Sequence, residues 1–203
     1  RAPLHVTHVR IDESVDVIEE NAFRDCEHLV QVETHDGIRR VGNWAFFNCK
    51  LLRQINLKSV VEIGRSAFWG CENLESVEFG DKLETIESFS FKGCISIKHL
   101  KLPSVITIEL QAFCNCKALI DIELSERLET IETRAFIGCE RLQRIVIPLK
   151  RNLFSIDRLL HLDRLRRKYK QFDGCDQLKT VDLVGGAHIK TVASLHMESW
   201  RSE

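Results

Sequence analysis

Seven times along the chain a phenylalanine is followed three residues later by a cysteine: Phe23/Cys26, Phe46/Cys49, Phe68/Cys71, Phe91/Cys94, Phe113/Cys116, Phe136/Cys139 and Phe172/Cys175. A small residue precedes the ring in six copies (Ala22, Ala45, Ala67, Ser90, Ala112, Ala135), and Gln171 takes that slot in the seventh. Successive phenylalanines are 23, 22, 23, 22, 23 and then 36 residues apart, so the period is 22 to 23 with an insertion of about 13 before the last copy. A chain with this period folds as units stacked in a line, each burying its apolar face against its neighbours.

The slots around each Phe-Cys pair predict the local structure. Six and eight residues past the Cys stand pairs such as Ile55/Leu57, Leu100/Leu102, Ile122/Leu124 and Ile145/Ile147, the alternation of a strand with one buried face. Strands that recur once per unit in one direction pair in parallel, about 4.8 Å apart. A second pair precedes each Phe by eight and five residues, for example Ile38/Val41, Val60/Ile63 and Val105/Ile108, and predicts a shorter extended segment on an opposite wall. Between the two, a short helical or 3-10 turn is expected to hold Phe and Cys inward. Val6, Val9 and Ile11 fit the strand slots of a first unit without its Phe and Cys. Pro103 and Pro148, each directly after a strand, are expected to stop the pairing there.

The full pattern, aliphatic-X-X-Ile-X-X-X-Ala-Phe-X-X-Cys-X-X-Leu-X-X-aliphatic-X-apolar, resembles the BspA-type leucine-rich repeat. The resemblance covers about residues 4 to 184, with close copies from 15 to 147. It implies an α/β repeat solenoid: a right-handed leucine-rich-repeat array with a parallel β-sheet on its concave side. Such arrays bind other proteins and, in bacterial and parasite members, adhere to surfaces. The tail Val184-Gly185-Gly186-Ala187-His188 is similar to the segment that closes such arrays in versions from unicellular algae, where a helical region follows.

Two stretches depart from the repeat. Over about 149–171 the aliphatic slots before Phe172 hold Arg164 and Arg167, and Ile156, Leu159, Leu160, Leu165 and Tyr169 approximate a helical stripe capped by Ser155. This basic helical insertion carries a net +6 between residues 150 and 170, leaving -7 for the rest of a chain whose total is -1. From 185 to 203, Val192, Ala193, Leu195, Met197 and Trp200 suit a C-terminal capping helix. The domain expectation is therefore one solenoid of seven to eight units over 1–184, then the cap over 185–203.

The near-zero total charge excludes a globally polybasic nucleic-acid binder, and no run of 18 apolar residues exists to span a membrane. Seven of eight cysteines occupy one core slot and the eighth, Cys114, falls in a turn. Equivalent thiols of this kind are read as reduced core residues, not as a disulfide framework. That argues for a reducing compartment, hence a cytoplasmic protein, with the cell surface as the alternative suggested by bacterial relatives. His5-X-X-His8 and Cys114-X-Cys116 are the tight metal-type pairs, but neither has the second pair that a four-ligand site requires. No phosphate-cradling Gly loop, nucleophile elbow or His-Glu-X-X-His is present. No catalytic residue, cofactor, metal or small-molecule substrate is assigned.

What remains is surface. The outward strand positions, five and seven past each Cys, include Gln31, Glu33, Gln54, Asn56, Glu78, His99, Lys101, Asp121, Glu123, Arg144 and Asp182. In a continuous sheet Lys101 would lie between Glu78 and Glu123, and Asp121 between His99 and Arg144, a self-neutralising face that competes with a binding face for the same residues. The expected function is a non-enzymatic protein-interaction scaffold using this face. The alternative is contact with an anionic surface or nucleic acid through Arg164, Arg166, Arg167, Lys168 and Lys170. Adhesion at the cell surface is the other.

Overall fold

The computed structural model of the chain describes residues 1–148, 150, 153 and 171–184. The C-terminal cap, and the insertion apart from Lys150, Leu153 and Gln171, lie outside the described residues, as do Arg164, Arg166, Arg167, Lys168 and Lys170.

Longer and shorter strands alternate along the chain: β1 (His8–Arg10), β2 (Val17–Ile18), β3 (Gln31–Glu33), β4 (Arg40–Val41), β5 (Gln54–Leu57), β6 (Glu62–Ile63) and β7 (Ser76–Phe79). They continue as β8 (Thr85–Ile86), β9 (His99–Leu102), β10 (Thr107–Ile108), β11 (Asp121–Leu124), β12 (Thr130–Ile131), β13 (Arg144–Pro148) and β14 (Thr180–Val184). All pairing is parallel and joins each unit to the next. The two-residue strands form one unbroken sheet from β2 to β12, the expected second wall. Past β12 its place is taken by Leu153, which is buried and whose carbonyl accepts the Ile131 N–H at 2.7 Å.

The longer strands depart from expectation in being two four-stranded sheets, β1-β3-β5-β7 and β9-β11-β13-β14, with no ladder between β7 and β9. The change coincides with Phe79, a ring in the slot that Leu57 and Leu102 hold in the units on either side. It stands edge-on to Phe91 at 6.0 Å, and Val77 and Phe79 are half-buried where Leu100 and Leu102 are buried. The break in the ladder thus falls where the largest side chain of this slot stands. The next residue must be glycine, because a Cβ on Gly80 would lie 2.0 Å from the Lys58 carbonyl oxygen. Pro148 does not stop pairing before it: it is the last residue of β13, in register with Val184.

The third wall corrects the sequence expectation of a helical turn. No helix occurs among the described residues, and the segment around each Phe is a run of turns. Around Phe46, the N–H groups of Ala45, Phe47 and Cys49 donate three residues back at 3.1–3.2 Å, closing turns. Those of Trp44, Phe46 and Asn48 instead point along the stack and donate to the next unit, to Arg65, Ala67 and Trp69 carbonyls at 2.7–2.9 Å. A helix uses every N–H within the segment; sending every second one outward requires left-handed backbone at two points. Those points are two residues before and two after the ring: Trp44 (φ 52°) and Asn48 (φ 60°) here, Ser66 (φ 55°) and Gly70 (φ 76°) in the next unit. The turns thus form a ladder of their own, and the coil has three walls.

Inside, the seven rings stack face to face from Phe23 to Phe172, with centroids 5.0–5.3 Å apart and planes within 10° of parallel. Phe46, Phe68, Phe91, Phe113 and Phe136 are fully buried, and one apolar cluster runs the length of the array. All eight cysteines are free and buried, Cys114 included, although it lies in a turn.

Candidate interaction surfaces

The outward positions of the longer strands fall into two groups. On the second sheet, Asp121 is in register with both His99 and Arg144, as the slot spacing predicts. His99 Nδ1 contacts the Asp121 carboxylate; Lys101 pairs with Glu123 at 3.5 Å; Arg144 reaches Asp182 at 2.6 Å and Glu123 at 3.8 Å. This half of the face neutralises itself. Lys101 does not meet Glu78, because the ladder is broken there, and Glu78 pairs with Lys58 at 2.9 Å.

The first sheet is different. Gln31, Glu33, Gln54, Asn56, Ser76 and Glu78 line a shallow open depression of about 270 Å³ across β3, β5 and β7. Gln31 donates to Glu33 at 3.3 Å, and the Asn56 side chain accepts the Lys58 N–H at 3.0 Å. The outward carboxamides and hydroxyl here face solvent with hydrogen-bonding capacity left over.

A further surface was missed from the sequence because it lies on the turn wall, in slots that vary from unit to unit. Trp44, Phe47, Trp69 and Phe89 are all half-buried there. Phe47 meets Trp69 edge-on at 5.6 Å, and Trp69 stacks on Phe89 at 5.8 Å. Cations sit over the rings: Arg24 over Phe47 at 5.1 Å, Arg65 over Phe89 at 5.5 Å, and Lys92 over Trp69 at 4.5 Å and Phe89 at 5.3 Å. The signal available was Phe47-Asn48 and Trp69-Gly70 directly after a core Phe, one residue outside the repeat.

Beside these rings runs a line of carboxylates. Four residues before the core Phe, Glu87, Glu109 and Glu132 each reach back one unit to a backbone N–H, of Arg65, Ser88 and Leu110, at 2.9–3.0 Å. Partial burial, then the neighbouring Glu62 carboxyl, pushes Glu87 above the usual carboxylate range. Partial burial, then Glu109, does the same to Glu132.

The thiols offer no nucleophile. Burial raises Cys71, Cys94, Cys116 and Cys139 above the ordinary thiol range, so the reactive thiolate is suppressed. Among the described residues, no three His, Cys, Asp or Glu side chains converge as a metal site requires. His8 Nδ1 contacts Thr7 Oγ1 at 3.0 Å on the exposed first strand. No helix of the described residues is long and apolar enough to cross a membrane.

The pattern of the BspA type leucine rich repeat region matches in six copies, over residues 3–104 and 52–160. Among solved structures, the leucine-rich repeat protein of T. pallidum is similar at 26% identity and a TM-score of 0.59, over 71% of this chain and 63% of that one. A leucine-rich repeat protein from Eubacterium ventriosum superposes over 91% of this chain and 45% of its own, at 22% identity and a TM-score of 0.70. The pneumococcal vaccine antigen PcpA follows at 18% identity and a TM-score of 0.60, over 93% of this chain and 53% of that one. The chain thus spans between 45% and 63% of the length of these bacterial relatives. No curated protein matches it.

Proposed function

The chain belongs to the BspA-type leucine-rich repeat family, and on that premise we propose that it is a non-catalytic scaffold that binds another protein through the longer-strand wall. Within that wall the partner is received by the first sheet. The observation that supports this is the contrast between its halves: outward charges around Arg144 and Asp121 satisfy one another, whereas Gln54, Asn56 and Ser76 line an open depression beside Glu33 and Glu78. Groups already paired contribute little to a new contact. Groups that trade water for a partner on a rigid surface need little ordering on binding.

A photo-crosslinker at position 54 tests the reading against one at position 101. Crosslinking of a cellular protein at 54, lost in Asn56→Arg/Ser76→Arg, is expected; equal yield at both positions contradicts it.

A second contact, with an anionic partner, is favoured by the +6 net charge over 150–170. Reversal of Arg166, Arg167 and Lys168 abolishes a steep salt dependence of binding if that contact exists. Eight free thiols favour a reducing, cytoplasmic setting over the cell surface. Fractionation of the source cell checks this, and recovery of the protein from the outer surface overturns it.

A further inference from the structure

We infer that the His35 imidazole is a pH-operated clamp: neutral, it fastens the loop after β3 to the first unit, and on gaining a proton it releases that loop and with it the Thr34 rim of the depression. The clamp is a property of the fold and holds whether or not a partner is received there.

The chemistry of its neighbours fixes the protonation state of the ring. Nδ1 accepts the backbone N–H of Gly37 at 3.1 Å, and a backbone amide nitrogen can only donate. Nε2 lies 2.9 Å from the backbone carbonyl oxygen of Asp12, one unit earlier, and a carbonyl can only accept. The same oxygen receives the Val15 N–H at 3.0 Å. The imidazole that satisfies both contacts is the neutral one with its proton on Nε2. Among the described histidines, His35 alone is held at both nitrogens; His8 and His99 are contacted at Nδ1. The loop closes tightly on the ring, since a Cβ on Gly37 would lie 2.7–2.8 Å from it.

A second proton places an N–H at Nδ1 directly against the Gly37 N–H. Two donors then face each other across 3.1 Å, and the contact turns from favourable to repulsive. The charged groups around the ring are Asp12 and Glu13 on the first unit, Asp36 on its own loop, and Lys58 on the loop of the next unit. The Asp12 carboxylate, held by the Ser14 N–H at 3.0 Å and hydroxyl at 2.6 Å, attracts a charged ring. Lys58 is paired with Glu78 at 2.9 Å. The surroundings therefore favour the imidazolium while the closed loop excludes it, and both demands are met only with the loop open. Thr34, next to the ring, lines the depression and donates from Oγ1 to the Asn56 carbonyl at 2.6 Å. On the far side Ile38 is buried in the core, so the release is confined to residues 34–37.

The test is nuclear magnetic resonance of the full chain, labelled with nitrogen-15, titrated from pH 8 to 5, the range in which imidazole changes charge. At pH 8 the ring is expected as the Nε2–H tautomer. On acidification the Gly37 and Thr34 amide resonances are expected to move in step with the ring. His35→Phe, which keeps a ring without nitrogens, is expected to lose that response. Gly37→Ala pushes the ring out with no left-handed backbone to strain, and is expected to give Thr34 at pH 8 the resonance position that the unmodified chain shows at pH 5. The inference is overturned by an Nδ1–H tautomer at pH 8, by a ring that takes up no proton over the range, or by a ring that titrates while Gly37 and Thr34 stay still. It is equally overturned if the two amides still move in His35→Phe with a midpoint near about pH 4, which would assign the response to Asp12 or Glu13. The tautomer and the titration are read on the unmodified chain, so they decide the matter even if a variant fails to fold.

Discussion

The thiol of Cys94 donates to the backbone carbonyl of Phe68, one unit earlier, at 3.1 Å. That carbonyl also accepts the Cys71 N–H at 3.2 Å, so both its lone-pair directions are used inside a dry core. The relation recurs from Cys49–Phe23 at 3.1 Å to Cys175–Phe136 at 3.2 Å. Cysteine suits the slot because it is small, apolar enough to bury and still a weak donor. Cys94→Ala removes the donor and leaves a void, and is expected to cost about 1–3 kcal/mol in denaturant unfolding. A neutral effect would show that the thiol is only filler.

Stability is expected to fall steeply in alkali. Burial raises Cys71, Cys94, Cys116 and Cys139 in the folded state. Each therefore contributes stability that is complete below the unfolded thiol pKa of about 8.5 and is lost as pH rises above it. Above that pH each of these thiols costs about 1.4 kcal/mol per pH unit, because only the unfolded chain ionises. Urea midpoints measured between pH 7 and 10 check this; a flat profile contradicts it.

The carboxylate line is expected to oppose folding at neutral pH. Partial burial and like-charged neighbours raise Glu87 and Glu132 in the folded state, so their contribution is favourable below the unfolded value of about 4.3 and is lost as pH rises. Glu87→Gln and Glu132→Gln keep an oxygen for the Arg65 and Leu110 amides. Both are expected to raise the urea midpoint at pH 7, with the gain disappearing below about pH 4.

The stacked rings should behave as a single spine. Phe91 lies between Phe68 at 5.0 Å and Phe113 at 5.3 Å. Phe91→Ala is expected to destabilise by about 3–5 kcal/mol. Phe91→Leu, which keeps most of the volume but not the stacking, is expected to cost less; equal costs would remove the case for ring stacking.

The left-handed turn positions give paired tests of opposite sign. Gly93 has φ 74°, and a Cβ there would meet only the Gly70 backbone at ordinary contact, 3.9–4.0 Å, so Gly93→Ala is expected to cost about 1–2 kcal/mol from backbone strain. Arg134 holds φ 60° at the corresponding earlier position, and Arg134→Gly is expected to stabilise. Thermal melts of the two variants should move in opposite directions.

The inward face of this fold was legible in the sequence because burial imposes a strict grammar: Phe, Cys, Leu and the alternating aliphatics recur at fixed offsets and each is in the core. The turn was misread because a Phe-X-X-Cys segment between two strands suits a helical turn locally. What decides against a helix is the direction of alternate N–H groups toward the next unit, which no single unit encodes. The break between β7 and β9 coincides with one departure from the repeat, Phe79, whose packing against Phe91 no slot pattern describes. The turn-wall rings escaped notice because Phe47, Trp69 and Phe89 occupy outward slots, where no periodicity is required. Which of the outward residues meet a partner is set by the partner and not by the core.

The most direct measurement is native-state thiol alkylation followed by mass spectrometry, without added reductant. Stacking of rings and thiols in a shared dry interior predicts that Cys49, Cys71, Cys94, Cys116 and Cys139, each 0% exposed, stay unmodified in the folded protein and all react once it is unfolded. Rapid modification of these five in the folded state, or thiols that stay unreactive in denaturant until a reductant is added, would contradict it.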